Sequence, residues 1–204
     1  MSDPHLIDPK RTAVLILDYQ VGVTAMFPEA EQMCARAATL LDAARSASVP
    51  VIYVVVEFRA GHPEISPRNV AFVERVKKNN LFLTGSREAQ VHPAVAPKDG
   101  DVIVVKRRIG AFSATDLETI LRSANVDTLI LLGVATSGAV LTTVRQAFDA
   151  DYRMLLVGDC CADVDQALHL TLLEKVLGRQ AQLTTSAQLA ASLREVKTPA
   201  APPA

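Results

Sequence analysis

Six apolar runs punctuate the chain: TAVLILD (12–18), PVIYVVVE (50–57), DVIVVK (101–106), DTLILLG (127–133), RMLLVGD (153–159) and AQLTT (181–185). They are near-continuous rather than alternating, the pattern of strands covered by helices on both faces of a parallel sheet. Between them, spacing and flanking polar residues predict helices over about 29–48, 66–78, 114–124, 138–151, 164–177 and 185–195. In the fourth of these, Val140, Val144 and Phe148 recur every four residues, while Arg145, Gln146 and Asp149 are left for water. Regular alternation of strand and helix implies right-handed crossovers. The predicted fold is therefore α/β, a three-layer α/β/α arrangement on a doubly wound, six-stranded parallel sheet of the Rossmann-like kind. One domain is expected over residues 1–197, followed by a frayed Pro/Ala tail over 198–204.

Composition narrows the partners. The 21 Lys and Arg nearly balance the 22 Asp and Glu, and a net charge of −1 offers no long-range attraction for nucleic acid or an anionic membrane. No apolar run approaches the roughly 20 residues of a membrane span. The opening MSDPHLIDPK is too charged and Pro-rich for a signal peptide, so a cytoplasmic location is expected. Cys34, Cys160 and Cys161 form no metal-like spacing, and an odd count argues for reduced thiols. With 50% apolar residues to cover, a homodimer or higher homo-oligomer is expected.

In open parallel sheets ligands bind beyond the carboxyl ends of the strands. Here those ends carry Asp18, Glu57, Lys106, the turn GVATSG and Asp159. A charge at a strand end often marks only where the strand meets water. Asp18 and Lys106 stand out because each directly ends an apolar run, and a carboxylate and an ammonium brought together there would stabilise each other's charge. The turn adds small residues, and Thr136 or Ser137 can cap a helix whose N-terminus favours an oxyanion or carboxylate. A phosphate loop is excluded, because Ala139 and Val140 follow where Lys and Ser/Thr are needed; no G-x-G-x-x-G follows the first strand either.

The segments AVLILDYQ, VVKRRIGAFSATDLETIL and LLGVATSGAVLTTVRQAFDADYRMLLVGDCCAD resemble isochorismatase-like hydrolases, also called cysteine hydrolases, from about Thr12 to Thr185. The resemblance implies the same six-stranded fold, frequent homo-oligomers and an Asp-Lys-Cys triad, with Asp18 and Lys106 at the first two positions. The Cys position falls on Ala139, so no covalent thioester can form there. By the same resemblance the Val134-Ala135 bond matches a frequent cis peptide, and Val134, Ala135, Thr136, Ser137 and Gly138 would border the substrate. Three explanations of Ala139 stay open: non-covalent hydrolysis, as in family members with glycine there whose Asp protonates a vinyl ether; a replaced cysteine; or a protein that binds without turnover.

Gln20 can reach a ligand or simply hold its loop, Phe58 and Phe112 can wall a pocket or fill core, and His62 can line the pocket. The nicotinamidase branch of the same family places an Asp and two His after the second strand. This chain offers Glu57 and His62 there, so no metal and no cofactor are expected. His5, His92 and His169 read as solvated; Arg59, Arg107 and Arg108 can attract a carboxylate or simply form a solvated charged face. The expected activity is metal-independent hydrolysis of a small amide, carbamate or enol ether by Asp18 and Lys106, the alternative being a catalytically silent binding or interaction protein.

Overall fold

The computed structural model describes residues 7–196; His5 and the tail expected over 198–204 lie outside them. Six parallel strands form one sheet: β1 (Thr12–Leu17), β2 (Val51–Val56), β3 (Val102–Lys106), β4 (Thr128–Val134), β5 (Arg153–Ala162) and β6 (Gln182–Thr184), in the order β3-β2-β1-β4-β5-β6. The order reverses between β1 and β4. That crevice is the topological switch point, where the crossovers leave toward opposite faces of the sheet.

Alternation along β1 assigns the two cores. Val14 and Ile16 face a layer built on α2 (Ala30–Ser46), which follows the single-turn α1 (Val21–Thr24), and on α7 (Ser186–Glu195), where Met33, Ala37, Leu40, Leu41, Leu189 and Leu193 are buried. Ala13, Leu15 and Leu17 face the opposite layer, made by α4 (Leu117–Ser123), α5 (Leu141–Asp149) and a π turn at Leu172–Val176 that continues α6 (Gln166–Thr171). The helices start where the sequence can satisfy their free N–H groups: Asp165 accepts from Leu168 N–H, and Thr185 forms a capping box with Gln188. Among the described residues no helix is long and apolar enough to cross a membrane.

Several expectations need correction. The helix expected over 66–78 is only α3 (Val70–Phe72) followed by a π turn at Val73–Lys77, and it buries no residue. The fifth strand does not stop at Asp159; the register with β4 shifts between Leu131 and Gly133, and β5 continues to Ala162. Asp159 instead turns its carboxylate to the start of α7, accepting from Ser186 N–H at 2.8 Å and Ser186 Oγ at 2.7 Å. Edge strand β3 is not covered on both faces, as 52% of Ile103 remains exposed. In α5, Phe148 is exposed, because four-residue steps drift by about 40° each and rotate it off the seam that Val144 and Ala147 occupy.

Gly133 fixes how closely β1 and β4 approach beside the switch point. It pairs with Leu17, and an added Cβ would lie 2.6 Å from Leu17 Cβ and 3.0 Å from the Leu17 carbonyl oxygen. Gly133→Ala is therefore expected to destabilise the fold by about 1–3 kcal/mol through overpacking against backbone. A urea midpoint equal to that of the wild type would contradict this.

Candidate active site

Asp18 is the first residue beyond β1. Its amide still donates to the Val54 carbonyl at 2.9 Å, but its φ is +55°, a left-handed conformation that Asp tolerates better than most residues. The chain thereby leaves the sheet with the carboxyl group at its edge. Lys106 ends β3, two strands away, so at about 4.8 Å per strand only a long side chain bridges the gap across β2. Its Nζ lies 2.6 Å from Asp18 Oδ2 and 2.7 Å from the Ile109 carbonyl oxygen, and the residue is 2% exposed. The second contact folds residues 107–109 back over the pair.

Asp18 Oδ1 is buried and has no hydrogen-bond partner. Burial pushes the carboxyl above its ordinary value, and the charge and hydrogen bond of Lys106 pull it only partly back. The proton is thus held more tightly than in an ordinary aspartate, although an ammonium stands beside it.

A cavity of about 200 Å³ opens on this pair. Asp18, Lys106, Gly138 and Ala139 line its floor and Val56, Phe72, Val76, Phe82 and Ile109 its apolar walls, with Arg108 also on the lining. The volume lies below the roughly 300–1,000 Å³ of drug-sized sites, so it suits a small molecule. Ala139 is buried and presents only a methyl group to the cavity.

The turn after β4 is a π turn, Thr136–Val140, entered through a cis Val134-Ala135 peptide. Three of its N–H groups are engaged. Ser137 N–H donates to Asp163 Oδ2 at 2.6 Å, and those of Gly138 and Val140 donate to the Ala135 carbonyl at 3.1 and 3.2 Å. The anion expected at this turn is present at Ser137, then, but it is the protein's own carboxylate. Thr136 is buried behind it, donating to the Ala162 carbonyl at 3.1 Å, with Oγ1 2.8 Å from His169 Nδ1. His169 is buried rather than solvated, and burial lowers its pKa. His92 is also not free in water, its Nε2 lying 3.6 Å from Glu31.

Of the residues singled out from sequence, the structure brings together Asp18, Lys106, Gly138 and Ala139. Val134, Ala135, Thr136 and Ser137 frame the turn without lining the cavity. Gln20 is fully buried and holds β2, its side chain bonding the Val56 N–H, the Val56 carbonyl and the Ala89 carbonyl. Phe58 and His62 pack under the wall, with ring centroids 5.4 Å apart, and His62 Nε2 lies 2.9 Å from the Leu81 carbonyl oxygen. Phe112 stacks on Tyr152 instead, at 5.9 Å. Burial pushes the thiols up, Cys34 to about 11 and Cys161 to about 12. Among the described residues no group of three His, Cys, Asp or Glu is gathered as a metal site.

The chain matches the isochorismatase domain model over residues 12–188. It is 28% identical to the uncharacterized isochorismatase family protein YwoC of Bacillus subtilis, over 94% of this chain and 97% of that one. It is 30% identical to enterobactin synthase component B of Escherichia coli K12, over 94% of this chain and 70% of that one. Maleamate amidohydrolase of Pseudomonas putida is 28% identical over 76% of this chain and 73% of its own length. Among solved structures, a cysteine hydrolase from Pseudomonas syringae pv. phaseolicola superposes with a TM-score of 0.83 at 26% identity, covering 97% of this chain and all of that one.

A carboxyl group whose folded pKa is raised stabilises the fold below its unfolded value of about 3.9 and loses that contribution as pH rises through the folded value. Asp18→Asn, which cannot ionise, is therefore expected to match the wild type near pH 3.5 and to gain on it as pH rises. The gain is about 1.4 kcal/mol for each tenfold weakening of the acid. Urea unfolding of both proteins between pH 3.5 and 8 reads the difference; a wild type that gains on the variant with pH would reverse the sign.

Proposed function

The chain belongs to the isochorismatase domain family, whose members are hydrolases; on that premise we propose that its cavity hydrolyses a small enol ether by a metal-independent, non-covalent route, with Asp18 as general acid and Lys106 as its electrostatic partner. The observation that carries this reading is the Asp18 carboxyl group: buried, with a raised pKa, and with one oxygen free of any partner. Proton transfer from Asp18 to the terminal vinyl carbon turns the ether into an oxocarbenium ion. Lys106 then faces a full carboxylate, so the ion pair is strongest at the point where charge develops. Water adds to the cation and returns a proton to Asp18. The resulting hemiketal collapses to a ketone and an alcohol.

Amides and carbamates suit the site less well. Their hydrolysis passes through a tetrahedral oxyanion that wants N–H donors, whereas three in this turn are engaged and Ala139 supplies no nucleophile. Maleamate amidohydrolase, similar at 28% identity, keeps amides within the substrates to be tried. Ala139 also favours a second reading, a protein that binds its ligand without turnover.

Hydrolysis of 2-phenoxyacrylate, maleamate and simple carbamates by the wild type and Asp18→Asn separates these readings. The enol ether is expected to turn over, with Asp18→Asn slower by about 10²–10⁴-fold, the contribution of a positioned acid. Its kcat/KM should fall as pH rises through the Asp18 pKa, because the acid form does the work. A rate that rises instead would make Asp18 a base, and no Asp18-dependent turnover of any substrate would leave the binding protein.

A further inference from the structure

Residues 107–115 connect β3 to α4 and fold back over the Asp18–Lys106 pair, yet they form no helix or strand of their own. Contacts from two sides hold them. From the cavity side, Lys106 Nζ donates to the Ile109 carbonyl. From the other side, α5 supplies Thr143, whose Oγ1 accepts from Ala111 N–H at 3.1 Å, and Gln146, whose Nε2 donates to Ser113 Oγ at 2.8 Å. Thr143 and Ala111 are both fully buried, so that N–H has no water to turn to. The Ala111 carbonyl is taken as well, by Thr115 Oγ1 at 2.6 Å.

The chain also makes room for this contact. Gly110 lies so close to α5 that a Cβ there would stand 2.8 Å from Thr142 Cγ2 and press on the Gln146 amide. Thr143 is one helical turn beyond Ala139, so the helix that rises from the cavity floor also carries an anchor for the wall at Ile109. We infer that Thr143 is a positioning residue for the Asp18–Lys106 pair, the anchor on α5 that keeps residues 107–111 closed over it. It keeps the pair covered whether or not a substrate turns over; its part in catalysis rests on the proposed acid chemistry.

Without the anchor the segment lifts, and water reaches Asp18 Oδ1, the oxygen that has no partner. Lys106 and Arg108 are the charged groups that share the cavity lining with Asp18; Arg108 is exposed and screened by water, and Glu57 at the end of β2 is not on the lining. Burial outweighs the lysine in holding the Asp18 proton, so hydration makes Asp18 a stronger acid.

Thr143→Val removes the hydroxyl at nearly constant shape, and Thr143→Ser keeps it. Exchange of the Ala111 amide with heavy water, read by ¹⁵N NMR, is expected to quicken about 10-fold in Thr143→Val, the worth of one hydrogen bond. The Asp18 dissociation constant, from carboxyl ¹³C titration, is expected to rise about 10-fold, and Thr143→Ser should restore both. Gly110→Ala, which pushes the same segment off α5 from its own side, should strengthen the acid with the hydroxyl still present. Leu193→Ala, in the opposite layer, removes core packing alone and should leave Asp18 unmoved. A dissociation constant unchanged or lowered in Thr143→Val and Gly110→Ala, a serine variant that behaves like valine, or an equal effect of Leu193→Ala would each overturn the assignment. A displaced Asp18 titration in a protein that hydrolyses nothing would keep Thr143 in place and remove only the enzymatic reading.

Discussion

The contact between Asp18 and Lys106 is the interaction on which the rest of the site depends. It joins the ends of β1 and β3 across β2, at 2.6 Å, under the segment that Lys106 also holds through the Ile109 carbonyl. Two opposing effects meet there. Removing a carboxylate from water is expensive, a nearby ammonium returns part of that cost, and for Asp18 the first effect is the larger. Asp18 consequently holds its proton more tightly than an ordinary aspartate does. The stability of the domain rests elsewhere, on the two apolar layers packed against the sheet.

The turn after β4 fits the same account. A hydrolase that works through a thiolate needs a nucleophile and open N–H donors; here Ala139 provides neither sulfur nor oxygen, and Asp163 occupies Ser137 N–H. Protonation at carbon requires neither of them. It would call on an acid, a cavity and a nearby cation, and Asp18, the cavity above it and Lys106 lie together beside the switch point between β1 and β4.

The sheet was legible because its strands are written as contiguous apolar runs, and the switch-point rule then located Asp18, Lys106 and the turn at one edge. What the runs could not carry was contact made by residues outside them. Asp159 is charged like a strand end, yet β5 passes through it and its carboxylate caps α7; the true end lies beside Asp163, whose contact with Ser137 no apolar run encodes. Phe72 and Val76, one helical turn apart, form a cavity wall whose signal was present in the four-residue spacing. Phe82 lies in a loop with no periodicity to reveal it. Gln20, Phe58, His62 and Phe112 lie close in sequence to strand ends, yet the fold uses them to hold loops and fill space. Nothing local in the sequence marks His169 as a histidine that a distant turn buries.

Asp18 holds its proton more tightly than an ordinary aspartate does, despite its lysine neighbour. Carboxyl ¹³C titration of Asp18 by NMR, with Asp18→Asn to assign the signal, measures this directly, and Lys106→Met reports how much the ammonium offsets. The account requires a midpoint above the ordinary aspartate value of about 3.9, rising further in Lys106→Met. A midpoint at or below that value in the wild type would mean that the ion pair outweighs burial, and that Asp18 is a carboxylate with no proton to give.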